Sequence, residues 1–147
     1  MGHSISKSAR RTGVVVNYGC LVALIALFYV GKNDGWNAAV SGGAAAVLLG
    51  VLVTFVAVHI KTNLWRLVHT KYENLDERQI QVTHESLRHS YSIFTVIILV
   101  VLLGIALASE HNRSLTDHSM LMVIFAGQLY LAHTLPSSII AWTEREV

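Results

Sequence analysis

The chain has 147 residues, of which 53% are hydrophobic and only 14% charged, with a formal net charge of +2. Its mean hydropathy of +0.51 and its low charged fraction set it apart from soluble domains, where about a quarter of residues are charged. The basic residues are too few and too mixed with acids for a nucleic-acid partner, and the single Cys20 excludes an internal disulfide.

Four apolar stretches fill most of the length: about 13–31, 38–60, 91–109 and 120–142. A helix rising ~1.5 Å per residue needs about 20 mostly apolar residues to cross ~30 Å of hydrocarbon. None of the four carries Lys, Arg, Asp or Glu in its interior, as a bilayer requires. The expected fold class is all-α: a polytopic membrane protein with four transmembrane helices, forming one domain over 1–147.

Charge placement orients it. Lys7, Arg10, Arg11, Lys61, Arg66, Lys71, Arg78, Arg88 and Arg145 fall on one side of the spans, against Lys32 and Arg113 on the other. Basic residues near span ends stay cytoplasmic. Both termini and the 61–90 segment are therefore expected inside the plasma (inner) membrane, with Lys32–Trp36 and Glu110–Ser119 outside. The first stretch reads as an uncleaved signal anchor. Gly2 and Ser6 match a myristoylation pattern, although a lipid adds little to a chain with four spans.

Asn17 is the strongly polar side chain of the first stretch, and its amide is expected to find a partner on a neighbouring helix. The second stretch carries a ladder of small residues, Ala38, Gly42, Ala46 and Gly50, continued by Thr54. Small side chains let backbones approach closely, so the ladder predicts helix packing within the chain or between copies.

In the central segment, Leu64, Val68, Tyr72 and Leu75 keep helical spacing. Asn74 with Glu77, or Asp76 with Gln79, fits a capping box. With no Pro or Gly from Lys61 to Leu103, two long helices are predicted, Ala38–Tyr72 and Leu75–Ser109. They would meet in a cytoplasmic hairpin over about 61–90, projecting ~15–20 Å. That geometry sets His59 level with His89, with His84 and Glu85 a turn further out. Such a group is a candidate metal site, and two level imidazoles are candidate haem or other tetrapyrrole ligands. Against this, no recognised ligand spacing is present.

The fourth stretch is the most polar. Tyr130, His133 and Ser137 share one face, Gln128 points away, and Pro136 predicts a kink. An ionisable residue within a span is a functional candidate, which singles out His133. The plain alternative is an imidazole hydrogen-bonded to Tyr130 or Ser137.

The Asp76-Glu77-Arg78 triplet, followed by Ile80 and then by a span opening Tyr91-Ser92-Ile93-Phe94, resembles the central loop of a class of small prokaryotic four-span membrane proteins of unknown function. Two spans precede the Asp-Glu-Arg element in that class and two follow it. The resemblance is specific over Leu75–Leu87. It implies a cytoplasmic turn at Asn74, Asp76, Glu77 and Arg78, where Arg78 pairs with a carboxylate or a lipid phosphate.

No nucleophile–base pair or phosphate-cradling loop stands out, so the expected function is non-enzymatic. The expectation is an accessory or regulatory subunit in contact with membrane lipids, acting as a homo-oligomer or within a larger membrane complex. The alternatives are a haem-, metal- or pigment-binding protein using His59 with His89, or His133, and a small transporter using Asn17, Gln128 and His133.

Overall fold

A computed structural model describes residues 6–109 and 115–144. Gly2, Arg113, Arg145 and part of the expected outer loop 110–119 lie outside the described residues. The described chain is helical: α1 (Lys7–Asp34), α2 (Ala38–Phe55) running on into a π-helical turn (Val56–Ile60), α3 (Leu64–His69), a short 3-10 turn (Tyr72–Asn74), α4 (Glu77–Ser109) and α5 (His118–Thr143). Each of the four apolar stretches falls inside one of the long helices. All four are long and apolar enough to cross a membrane.

Local chemistry sets the helix ends. Ser6 Oγ accepts from Ala9 N, Asn37 Oδ1 from Val40 N and Asp117 Oδ2 from Ser119 N, which satisfies donors that a first helical turn leaves free. α1 stops at Gly35, whose φ of 94° suits a residue without Cβ. At α4 the capping box that forms is the one between Asp76 and Gln79. Gln79 N donates to Asp76 Oδ1 (2.7 Å), and Asp76 N donates back to Gln79 Oε1 (3.2 Å).

The long helices stand in the order α2, α1, α5, α4, with α1 between its sequence neighbour and α5, and α4 against α5. Both ends of the α1–α5 pair are tied. At one end Lys7 Nζ, Arg10 and Arg11 donate to the carbonyls of Thr143, Glu144 and Trp142. Arg11 also stacks over the Trp142 ring, and Arg78 reaches Glu144 at 3.5 Å. Three cations on the last carbonyls of α5 answer the negative end of its dipole. At the other end Lys32 pairs with Asp117, which caps α5.

The straight cytoplasmic hairpin expected over 61–90 is replaced, ahead of α4, by separate short helices. α2 does not continue to Tyr72. The ladder of hydrogen bonds widens at Lys61 N to Val56 O (2.9 Å). The chain then turns at Asn63, the non-glycine residue with positive φ (58°) among those described. α3 folds back against the bundle, so the Trp65 ring meets Phe55 at 5.3 Å. A straight helix would hold those residues ~15 Å apart along its axis. Leu64, fully buried, joins Val14, Val58, Ile140 and Ala141 in a small apolar core at this end. Burying Leu64 there outweighs a straight helix, because Leu64 in a projecting helix would face water. α4 does run unbroken from Glu77 to Ser109, and α5 passes through Pro136 without interruption.

The candidate site, a buried polar seam between three helices

Polar side chains gather where α1, α2 and α5 meet. Asn17 is fully buried. Its Nδ2 donates to Val51 O (3.1 Å) and Thr54 Oγ1 (2.8 Å), and its Oδ1 accepts from Tyr130 OH (2.8 Å). One amide thereby joins three helices. Thr54 passes its own proton back to the Gly50 carbonyl (2.7 Å).

A turn nearer the termini, Tyr18 OH lies 3.2 Å from Thr134 Oγ1 and 2.8 Å from Ser138 Oγ. Thr134 donates to Tyr130 O, so using each hydroxyl proton once makes Tyr18 the donor to Thr134 and Ser138 the donor to Tyr18.

His59 lies in the π-helical turn, where the wider turn buries both it (0% exposed) and Val58 (3%). Its Nδ1 meets Ser137 Oγ at 2.8 Å, and Ser137 Oγ is also 2.9 Å from the Thr134 carbonyl. If Ser137 gives its proton to that carbonyl, Nδ1 must carry the proton of the imidazole. In either tautomer His59 Nε2 is buried and has no hydrogen-bond partner among the described residues. The Phe55 ring lies against the imidazole at 5.2 Å. Close approach of α1 permits this packing: a Cβ on Gly13 would overlap Val58 Cγ2.

The structure regroups the residues singled out from the sequence. His59 meets Ser137. His84, Glu85 and His89 lie exposed on α4, whose buried face is Thr83, Ser86 and Ser90. His89 Nδ1 caps the Glu85 backbone carbonyl at 2.9 Å. The level pairing of His59 with His89 required the straight hairpin that the turn at Asn63 replaces. No three His, Cys, Asp or Glu side chains among the described residues group closely enough to hold a metal ion. One imidazole and one hydroxyl do not make a metal donor set, which needs three or four ligands.

His133 is exposed on the outer face of α5. Its Nδ1 donates to Leu129 O (2.8 Å), not to Tyr130 or Ser137. Gln128 Oε1 is buried without a partner among the described residues.

The small-residue ladder divides. Gly50 faces Cys20, whose Sγ lies 3.0 Å from where a Cβ would stand, and Thr54 faces Asn17. Ala38, Gly42 and Ala46 are exposed, and nothing lies within 4 Å of a Cβ on Gly42. Steps of four residues turn ~40° further round a 3.6-residue helix each time, so a ladder of five drifts ~160°. The glycines that stay on the α1 side are Gly43, beside Leu27, and Gly50, seven residues apart.

Tyr18, Thr134 and Ser138 are visible in the sequence as polar residues of the first and fourth stretches, but their meeting was not expected. The four-residue spacing of Thr134 and Ser138 was the available signal. No family model, curated protein or solved structure matches the chain.

Proposed function

We propose that this is a multi-pass protein of the plasma (inner) membrane, with both termini and the α2–α4 connection on the cytoplasmic side. It acts without catalysis, as an accessory or regulatory subunit that packs against a second copy or a larger membrane complex. The carrying observation is the uncovered small-residue face of α2, Ala38, Gly42 and Ala46. Small residues gain little against lipid but allow two backbones to approach closely. The polar residues of the α1–α2–α5 seam support the same reading, because Asn17, Tyr18, Thr54, Tyr130, Thr134 and Ser138 spend their hydrogen bonds on one another and on backbone.

Mass measurement after extraction in mild detergent tests the proposal. A multimer or defined complex is expected, and Gly42→Ile should dissociate it while leaving the thermal transition in place. A wild-type chain that is only monomeric, or an unchanged assembly in the variant, would count against it.

A second reading, a haem- or pigment-binding protein, has one observation in its favour, the unpartnered Nε2 of buried His59. A visible absorption band of the purified protein that disappears in His59→Gln would establish it, and a colourless protein would remove it. The transporter reading gains less: Asn17 is locked by three hydrogen bonds and His133 faces outward.

A further inference from the structure

Along the outside of the bundle, α2 and α5 leave a groove of about 370 Å³, lined by Leu52, Phe55, Trp65, Leu129, Tyr130 and His133 among others. Its walls are almost wholly apolar, and it is open to its surroundings. Water has too few polar partners there to fill it, and an empty groove would forfeit the dispersion contacts of its lining. Trp65, on α3, closes the end nearest the termini by packing edge-on against Phe55.

The segment that carries Trp65 is basic. Lys61 and Arg66 flank it, both are exposed, and Lys71 follows before the first acid at Glu73. Neither Lys61 nor Arg66 takes part in an ion pair among the described residues, unlike Lys32 and Arg78. An apolar groove that ends at Trp65, in a segment that also carries two exposed cations without ion pairs among the described residues, is complementary to a lipid with a charged phosphate.

We propose that the groove binds one anionic phospholipid. An acyl chain lies against Phe55 and Leu129, and Lys61 and Arg66 hold the phosphate. The guanidinium of Arg66 suits phosphate oxygens by its forked donors. The inference rests on the membrane reading above and goes beyond it by naming a ligand and its contacts.

Trp65 supplies the probe. In the full chain with Trp36→Phe and Trp142→Phe, Trp65 is the remaining tryptophan. Its fluorescence is followed in phosphatidylcholine vesicles doped with brominated-chain phosphatidylglycerol or with brominated-chain phosphatidylcholine. Half-quenching is expected at a lower fraction of the anionic lipid, by about fivefold for each cation. Lys61→Gln with Arg66→Gln should erase that preference, and Leu129→Phe, which narrows the groove, should weaken quenching by both lipids. Should the paired Gln variant not fold, high salt applied to the native pair serves the same purpose. Equal quenching by the two lipids, or a preference that survives loss or screening of the cations, overturns the site and leaves the membrane reading standing. No quenching by either lipid overturns both.

Discussion

Replacing Asn17 by Leu keeps a side chain of similar size and removes the three hydrogen bonds that join α1 to α2 and α5. Side-chain hydrogen bonds between membrane helices average ~0.6 kcal/mol and reach ~1.7, so three together contribute ~2 kcal/mol. The receiving groups do not suffer equally. Thr54 keeps its bond to Gly50 O and the Val51 carbonyl keeps its place in the α2 backbone ladder, but the Tyr130 hydroxyl loses the acceptor it donates to. An unsatisfied buried donor costs about 1–3 kcal/mol, which places the total loss near ~2–3 kcal/mol. Tyr130→Phe alone should cost ~1 kcal/mol. In the Asn17→Leu background it should cost nothing or stabilise, since it removes the stranded hydroxyl. A double-mutant cycle, read from reversible unfolding in bicelles, should therefore show a coupling of at least ~0.6 kcal/mol. Additive losses within ~0.3–0.5 kcal/mol, or an Asn17→Leu protein as stable as the wild type, would show that the amide does not hold the three helices together.

Two further predictions concern the ends of the bundle. Asn63 holds a left-handed backbone at the turn into α3, so Asn63→Gly should be tolerated. Asn63→Val should lower the unfolding free energy by ~1–2 kcal/mol or more, and equal stabilities would argue against the turn. The Asp117 carboxyl is held well below the usual carboxylate range, first by its hydrogen bond from Lys32 and then by those from Ser119. Because its folded value lies below its unfolded one, the stabilisation is complete above about pH 4 and fades as pH falls further. Asp117→Asn should flatten the acid limb of a thermal-melt pH profile. A limb of unchanged slope would mean that this carboxylate is not the group responsible.

The capping box at Asp76 and Gln79 was legible, as one of two candidates, because it depends on residues within one turn, whereas hydropathy alone placed the start of the first helix near Gly13 rather than at Ser6. The Asn17 amide was legible as a group needing a partner, because its burial cost is set by the span around it. Its partners were not, since Val51, Thr54 and Tyr130 lie on two other helices. His59 shows the limit most clearly. A helix without interruption implied His89 as its counterpart, but the π-helical turn and Asn63 change the register, and the imidazole meets Ser137. No Gly or Pro marks that break; it depends on Leu64 reaching Ile140 and Ala141, a contact that exists only once α5 is in place.

What the sequence determined by itself is therefore the set of elements: four apolar helices, their approximate ends, and the basic residues gathered near the termini and the α2–α4 connection. These follow from hydropathy and from capping, both local in the chain. Tertiary structure alone decided the helix order α2, α1, α5, α4, the folding-back of α3, the division of the small-residue ladder, and the pairing of His59 with Ser137. Each is a choice among contacts between segments far apart in sequence, settled by which apolar and hydrogen-bonding groups can be satisfied together.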